Sequence, residues 1–217
     1  METPHDPHSI NYRIREGLAR IATIVRVDEW NRAKTMGLNP TQLAILTALD
    51  GRAGGLGVKD VAAHLGISQP TATDSLNALE KKSLVERRAS AEDRRAIRVH
   101  LTTDGTGMLQ SHQPNTLAER ALASLESGQH EELLLLLVTM IRELQEQNAI
   151  PQQRMCVSCQ YFSPFEHSGS AQPHHCKFVD AAFGQSELRI DCRDQSPSNA
   201  QKRASDWKLF QAESAPL

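Results

Sequence analysis

The sequence predicts a mainly α-helical protein with one two-stranded β-hairpin and a small cysteine-rich module near its C-terminal end. Apolar residues recur every three or four positions through most of residues 10–148, whereas the stretch 84–101 alternates with a period of two. All four cysteines come after residue 155, where the composition changes abruptly to Cys, His, Pro, Gly and aromatic residues. We therefore expect two modules, residues 1–150 and residues 151–217.

Composition favours a folded globular protein over a disordered or membrane-spanning one. The 217 residues, with 39% hydrophobic and 23% charged side chains, can form one domain with a small appendage and argue against wholesale disorder. The formal net charge is only -2, so a basic surface must be local. The start of the sequence lacks the pattern of a signal peptide, and the longest apolar run, 133–138, is far shorter than the ~20 residues that cross a bilayer. We expect a cytoplasmic protein without a membrane span.

Capping residues delimit the first three predicted helices. An amphipathic helix covers residues 11–32. Asn39 and Pro40 provide an N-cap and a first-turn proline for the second helix, which ends before the glycine-rich break at 51–57. A short helix over 58–65 ends at Gly66, a residue suited to a left-handed C-cap.

The fourth helix and the hairpin complete a winged helix-turn-helix. Ser68 caps this helix, and Ala72, Leu76 and Leu79 form its buried stripe. Two alternating segments, 84–88 and 97–101, then flank a polar loop, and Ile97, Val99 and Leu101 are expected to share one inward face. Helix, turn, helix and hairpin in this order place the second helix of the pair in the major groove of DNA.

The polar face of the fourth helix and the arginines of the hairpin are the predicted DNA contacts. Hydroxyl, amide and carboxylate groups can bind base edges or phosphates, and guanidinium groups suit phosphates and the minor groove. The predicted DNA-binding residues are Ser68, Gln69, Pro70, Thr71, Thr73, Asp74, Asn77, Arg87, Arg88, Arg94, Arg95 and Arg98.

Two more helical stretches follow the hairpin, over 106–126 and 129–148. The second carries an apolar stripe that a small domain cannot bury alone, which predicts a partner helix and a homodimer. The stripe consists of Leu133, Leu134, Leu137, Val138, Ile141 and Leu144. A last helix over 198–212 is expected to dock on the cysteine-rich module.

The run from Ala91 to Gly105 resembles the wing signature of the MarR family of transcription regulators. That signature has Asp-x-Arg, a few residues, and an apolar strand ending in Leu-Thr-x-x-Gly; the matching positions are Asp93, Arg95, Leu101, Thr102 and Gly105. The resemblance covers about residues 10–148. It implies an obligate dimer, held by its N- and C-terminal helices, that acts as a repressor on a pseudo-palindromic double-stranded DNA operator and responds to a small-molecule effector.

Four cysteines form a candidate metal site. Cys156 and Cys159 are separated by two residues, sixteen residues then precede Cys176, and fifteen more precede Cys192. A two-residue gap lets one turn present both sulfurs to a metal, as in zinc ribbons and iron-sulfur proteins. The spacing alone leaves the choice between Zn²⁺ and an iron-sulfur cluster open.

The order and loop lengths of the cysteines resemble those of the high-potential iron-sulfur proteins. The resemblance implies a [4Fe-4S] cluster bound by the four thiolates, and the nearby aromatic residues would provide a dry environment for it. These aromatic residues are Tyr161, Phe162, Phe165, Phe178 and Phe183. The sequence departs from that family at Ile190-Asp191, where Gly-Trp is usual. His174 and His175 are expected to be hydrogen-bond donors near the ligands rather than ligands.

The sequence contains no phosphate-binding glycine loop, nucleophile elbow or zinc-protease motif, so we expect no enzyme activity. The leading hypothesis is a repressor whose affinity for DNA follows the state of the C-terminal cluster. One alternative is a repressor with structural zinc and a small aromatic inducer. Another is a redox or electron-transfer protein on a helical dimer scaffold.

Overall fold

The computed structural model describes residues 9–90, 95–111 and 116–214. The chain divides into two compact units, Met1–Leu125 and Glu126–Leu217. The first unit contains the helices before residue 125 and the hairpin, and the second combines a long helix with the cysteine-rich segment. Among the described helices, none is long and apolar enough to cross a membrane.

The first unit has the element order of a winged helix. In chain order its elements are α1 (Ile10–Thr35), α2 (Pro40–Leu49), α3 (Val58–Leu65), α4 (Gln69–Lys81), β1 (Val85–Ala89), β2 (Ile97–Leu101), α5 (Thr103–Ser111) and α6 (Leu117–Leu122). The predicted caps are present: Asn39 and Gln42 form a capping box at α2, and Gly66 ends α3 with φ 64°. Local capping thus sets the bounds of α2 and α3.

The core of the first unit lies between α2, α3 and α4. Ile45, Leu46, Val61, Leu76 and Leu79 have no exposed surface. These positions are the apolar stripes of the three helices, so the predicted amphipathic pattern determines how they pack. The packing leaves the polar face of α4 exposed.

The hairpin is anchored at its base by close backbone contacts. β1 pairs with β2 in antiparallel register, from Val85 opposite Leu101 to Ala89 opposite Ile97. A Cβ atom added at Gly105 would lie 2.1 Å from the carbonyl oxygen of Leu84, so α5 approaches the start of the hairpin as closely as only glycine permits.

Two predictions about this unit are wrong in detail. The stretch 106–126 does not form one helix, because Thr116 and Glu119 form a capping box that starts α6 anew at Leu117. Ile97 is 51% exposed, since it lies at the far end of the hairpin, whereas Val99 in the middle of β2 is fully buried.

The second unit is built around α7 and a three-stranded sheet. Its elements are α7 (Ser127–Glu146), a 3-10 turn (Cys156–Ser158), β3 (Phe162–Ser163), β4 (His174–Cys176), β5 (Ala181–Phe183), a second 3-10 turn (Gln185–Glu187) and α8 (Ala200–Ser214). The strands are antiparallel in the order β3-β4-β5. Val138 of α7, Met155, Phe162 and Phe210 of α8 form one buried cluster, so the last helix docks as predicted.

Helix α7 therefore packs with the cysteine-rich segment, although the predicted boundary at residue 150 separates the two. One part of its apolar stripe, including Val138 and Ile141, is covered by its own chain. Leu144 of the stripe is 41% exposed, and Leu136 and Met140, which lie outside the predicted stripe, are 56% and 43% exposed. The module therefore covers part of the stripe from within the chain, and the predicted partner helix and homodimer stay predictions.

Candidate DNA-binding surface and metal centre

The N-terminal half of α4 presents most of the predicted base-contacting residues to solvent. Ser68, Gln69, Pro70, Thr71, Asp74 and Asn77 are exposed, and Thr73 is half-buried. The Ser68 hydroxyl accepts a hydrogen bond from the backbone N–H of Thr71 at 3.2 Å, which starts the helix with these side chains at its amino end. A helix of this kind can offer polar groups to base edges and its N-terminus to phosphates.

Carboxylates pair with three of the predicted arginines, Arg87, Arg88 and Arg98. Arg87 donates to the Asn77 side-chain oxygen at 2.7 Å and also pairs with Glu80, so it joins β1 to α4. Arg88 pairs with Glu86. These contacts position the hairpin against the helix in addition to any contact with DNA.

Arg98 lies in β2, and Arg95 precedes this strand. Arg98 is 3.4 Å from a carboxylate oxygen of Asp60, whose carboxylate also caps α3. Arg95 is exposed at the C-terminal side of the wing loop. Arg94 and Asp93 lie outside the described residues. Asp60 was not among the predicted residues, although an acidic residue in the first turn of α3 is a recognisable capping signal.

The four thiols converge on one cavity. Cys156, Cys159, Cys176 and Cys192 all line a cavity of about 200 Å³. The aromatic residues in its wall are Tyr161, Phe162, Phe178 and Phe183. Four of the five aromatic side chains that were predicted to surround the metal site therefore line this cavity.

Phe165, the fifth aromatic residue, instead packs against the imidazole of His174, with ring centroids 4.7 Å apart. His174 is fully buried among aromatic rings, and burial lowers its pKa to about 4. Its Nδ1 accepts a hydrogen bond from the Phe165 backbone N–H at 3.3 Å. The neutral imidazole is thus part of the core of this unit.

Two chain segments that are distant in sequence are joined by backbone hydrogen bonds beside the cysteines. The Cys156 N–H donates to the Arg189 carbonyl at 3.0 Å, and the Cys192 N–H donates to the Arg154 carbonyl at 2.8 Å. The buried Arg154 also forms a bidentate salt bridge with Asp191, in which Arg154 Nη2 lies 2.8 Å from Asp191 Oδ2. This pair occupies the position where the sequence departs from the high-potential proteins, and it holds Cys192 against the first pair of cysteines.

Hydrogen-bond donors face the sulfurs. The Arg189 backbone N–H lies 3.3 Å from Cys156 Sγ, and its guanidinium lies 3.7 Å from Cys192 Sγ. Burial is the main cause that raises the pKa of the Cys156 thiol to about 11; the Arg189 N–H opposes this shift, and the three neighbouring thiols add to it. A bound cation would counteract both causes of the increase by stabilising thiolates. Arg189 was not among the predicted site residues, and its only signal in the sequence is its position three residues before Cys192.

The spacing of the thiols tests which metal group they fit. No three of these four described cysteines have sulfurs that all lie within 4.8 Å of one another. Four thiolates on a single zinc ion, with Zn–S of about 2.3 Å, would have sulfurs only about 3.8 Å apart. A cubane cluster separates its thiolates more widely because each binds a different iron. Both groups would be bound through the same four thiols.

Comparison with known proteins concerns the winged-helix part. Residues 36–96 match the model of the MarR family. The transcriptional repressor MprA of Escherichia coli K12 is 28% identical over 123 residues, which are 54% of this chain and 70% of that protein. Part of the chain is thus similar to MarR-family proteins, and the residues matched by the family model end well before the first cysteine.

Two solved structures resemble part of this chain. A MarR transcriptional regulator from Methanosarcina mazei Go1 superposes with a TM-score of 0.52 at 17% identity, covering 62% of this chain and 98% of that one. A MepR–DNA complex of S. aureus has a TM-score of 0.47 at 24% identity, covering 63% of this chain and 98% of that one. The first of these supports the winged-helix fold.

Proposed function

We propose that this chain is a homodimeric DNA-binding repressor of the MarR type whose affinity for its operator follows the state of a [4Fe-4S] cluster bound by Cys156, Cys159, Cys176 and Cys192. The observation that carries the proposal is the convergence of these thiols on one cavity within a unit that also contains α7. The match of residues 36–96 to the MarR family supports the DNA-binding part.

DNA binding is supported by the exposed polar face of α4 and the arginines beside it. Asp74 and Asn77 are exposed on α4, and Arg88 and Arg95 are exposed on the hairpin. Polar side chains on the helix would read base edges, while the cations would neutralise phosphates. Two such surfaces in a symmetric dimer would match a pseudo-palindromic operator.

Dimerisation is supported by the apolar surface of α1. Ile14, Leu18, Ile21 and Val25 follow one another at helical spacing and are 50%, 40%, 55% and 37% exposed. A 26-residue helix with a continuous exposed apolar stripe is unfavourable in water unless another surface covers it. A second copy of the chain would provide an identical stripe and bury both.

The route from cluster to DNA would run through α7. Met155 and Val157, on either side of the first ligand, pack in the same cluster as Val138 and Ile141 of α7. Ordering of residues 154–159 around a bound group would therefore change how firmly α7 is held. A coupling of about 1–3 kcal/mol, roughly 5- to 150-fold in affinity, is typical of such two-site systems.

The first experiment is an absorption spectrum with iron, sulfide and zinc analysis of protein purified without oxygen. We expect a broad band near ~400 nm with iron and sulfide. A colourless protein with stoichiometric zinc would contradict the cluster and favour a structural zinc site with a small aromatic inducer. A Cys192→Ser variant should lose the band, whereas Ser186→Ala, close in sequence, should retain it.

The second experiment measures operator affinity before and after cluster removal. Operator fragments selected from random DNA should bind the loaded and cluster-free proteins with affinities that differ at least fivefold. Equal affinities would refute the switch. Arg95→Ala should weaken binding and reduce the slope of log K against log salt by about 1 if this side chain contacts a phosphate. Absence of any DNA binding would favour an electron-transfer protein.

A further inference from the structure

A second group of metal-ligating side chains lies beside β4. Glu166, His167 and His175 each offer one ligand atom, and these three atoms all lie within 4.8 Å of one another. His167 Nε2 and His175 Nδ1 are 3.1 Å apart. Two imidazole nitrogens and a carboxylate oxygen are a donor set that divalent transition metals prefer.

The distance between the two nitrogens matches a shared ion. With Zn–N of about 2.0–2.1 Å and tetrahedral angles, two imidazole nitrogens on one zinc lie about 3.3 Å apart. The 3.1 Å separation needs only a small outward shift of the rings to reach that value. The rings are steeply inclined, at 63°, so both nitrogens can point to one place between them.

The backbone brings these side chains together by strand pairing and a tight loop. His175 lies in β4 opposite Ser163 of β3. His167 lies in the connecting loop, where its N–H donates to the Pro173 carbonyl at 3.0 Å. Phe165 has φ 52°, a left-handed conformation that is costly for a non-glycine residue and that turns the chain toward Glu166.

A carboxylate orients the second imidazole. His175 Nε2 lies 3.2 Å from a carboxylate oxygen of Asp180, which leaves Nδ1 as the atom facing His167. A histidine ligand whose other nitrogen is bound by a carboxylate has a fixed tautomer and is a stronger ligand. Asp180 has φ 51°, so it is, with Phe165, a second non-glycine residue in the left-handed conformation beside this group of side chains.

The group is separate from the cysteine cavity. His175 and Cys176 are consecutive residues of β4, so their side chains point to opposite faces of the strand. Cys176 lines the cavity, whereas the hydrogen bonds of His175 go to His167 and Asp180.

We propose that Glu166, His167 and His175 bind a divalent transition-metal ion of the zinc type, with one coordination position open to water or another ligand. Asp180 is a positioning residue that orients His175. Lys177 lies 3.8 Å from Glu166 and is exposed, so its side chain can move away when a cation binds. A bound ion would tie the loop between β3 and β4 to the sheet that carries Cys176.

Cobalt titration of the full-length protein tests this site. The amount of metal already bound by the four cysteines would be measured first. The protein would then be titrated with Co²⁺, and binding would be followed by calorimetry and absorption spectroscopy. We expect one additional equivalent with weak visible bands and without the near-ultraviolet sulfur-to-cobalt charge-transfer band of a thiolate site. Absence of an additional equivalent, or one with the charge-transfer band, would overturn the proposal.

Variants assign the ion to these residues. His167→Ala should abolish the additional equivalent, and His130→Ala, in the first turn of α7, should retain it. Asp180→Asn keeps all three ligands and should bind Co²⁺ roughly 10–100-fold more weakly. It therefore provides a test even if His167→Ala fails to fold, as judged by far-ultraviolet circular dichroism. Unchanged affinity in both His167→Ala and Asp180→Asn would show that the histidines only form a hydrogen-bonded pair.

Discussion

Replacing Gly105 with alanine tests how the wing is anchored, and Gly107 offers a matched control on the same helix. An added Cβ at Gly105 would lie 2.1 Å from the Leu84 carbonyl oxygen and 3.3 Å from a methyl group of Leu101. At Gly107 an added Cβ would have no neighbour within 4 Å. The two substitutions thus differ in the space available and share the change in helix propensity.

The expected magnitude follows from these distances. Relief of the contact requires α5 and the Leu84 carbonyl to separate by roughly 1 Å, and overpacking of this kind costs about 1–3 kcal/mol. The shift would also weaken or break the 3.2 Å hydrogen bond from the Thr102 N–H to the same carbonyl, and its loss would lower the free energy of unfolding by about 1 kcal/mol. The gain in helix propensity offsets up to about 1 kcal/mol at both positions. We expect Gly105→Ala to destabilise by about 1–3 kcal/mol and Gly107→Ala to be neutral or stabilising.

Urea denaturation followed by circular dichroism would measure both variants against the parent protein. The difference between the two alanine variants should be about 2–4 kcal/mol, because only one of them meets the backbone of the hairpin. Equal unfolding free energies would refute the close approach of α5 to Leu84. Since Leu84 leads directly into β1, Gly105→Ala should also weaken operator binding, measured by fluorescence anisotropy, while Gly107→Ala should not.

Three further outcomes are expected. Leu76→Ala should destabilise the protein by about 2–5 kcal/mol in urea titrations, because Leu76 has no exposed surface; a loss below about 1 kcal/mol would refute its place in the core. Asp191→Ala should destabilise by about 1–3 kcal/mol and lower the metal content after dialysis, because it leaves buried Arg154 without this carboxylate; unchanged metal retention would contradict the clamp. Because the pKa of His174 is about 4 in the folded protein and 6.5 when unfolded, its neutral form stabilises fully above pH 6.5, and this contribution is lost as pH falls toward 4. Relative to His174→Gln, the parent should lose about 2 kcal/mol between pH 7.5 and 5, and parallel pH profiles would rule this out.

Interactions between residues close in sequence were predictable. Asn39, Gly66 and Ser68 were identified as caps, and the structure confirms all three, because capping involves only a side chain or backbone angle and the adjacent turn. The missed start of α6 also had such a signal, since Thr116 and Glu119 have capping-box spacing.

The wing shows where sequence patterns become insufficient. Alternation correctly predicted two paired strands, but it placed Ile97 on the inward face with Val99. The side chains do alternate, yet the core extends only under the middle of the hairpin, so Ile97 is exposed beyond it. The pairing of the arginines was not predictable from local patterns either. Arg87 of β1 pairs with Glu80 of α4, and no sequence pattern relates these two elements.

For the second unit, the sequence by itself determined the donor types and the two-residue turn between Cys156 and Cys159. Only the tertiary structure decided that residues 154–156 pair with residues 189–192, that Asp191 binds Arg154, and that α7 packs with this segment. It also brought His167 to His175. The physical reason is range: a cap or turn is settled by atoms a few residues apart, whereas the closure of long loops depends on burial of apolar side chains contributed by the whole unit.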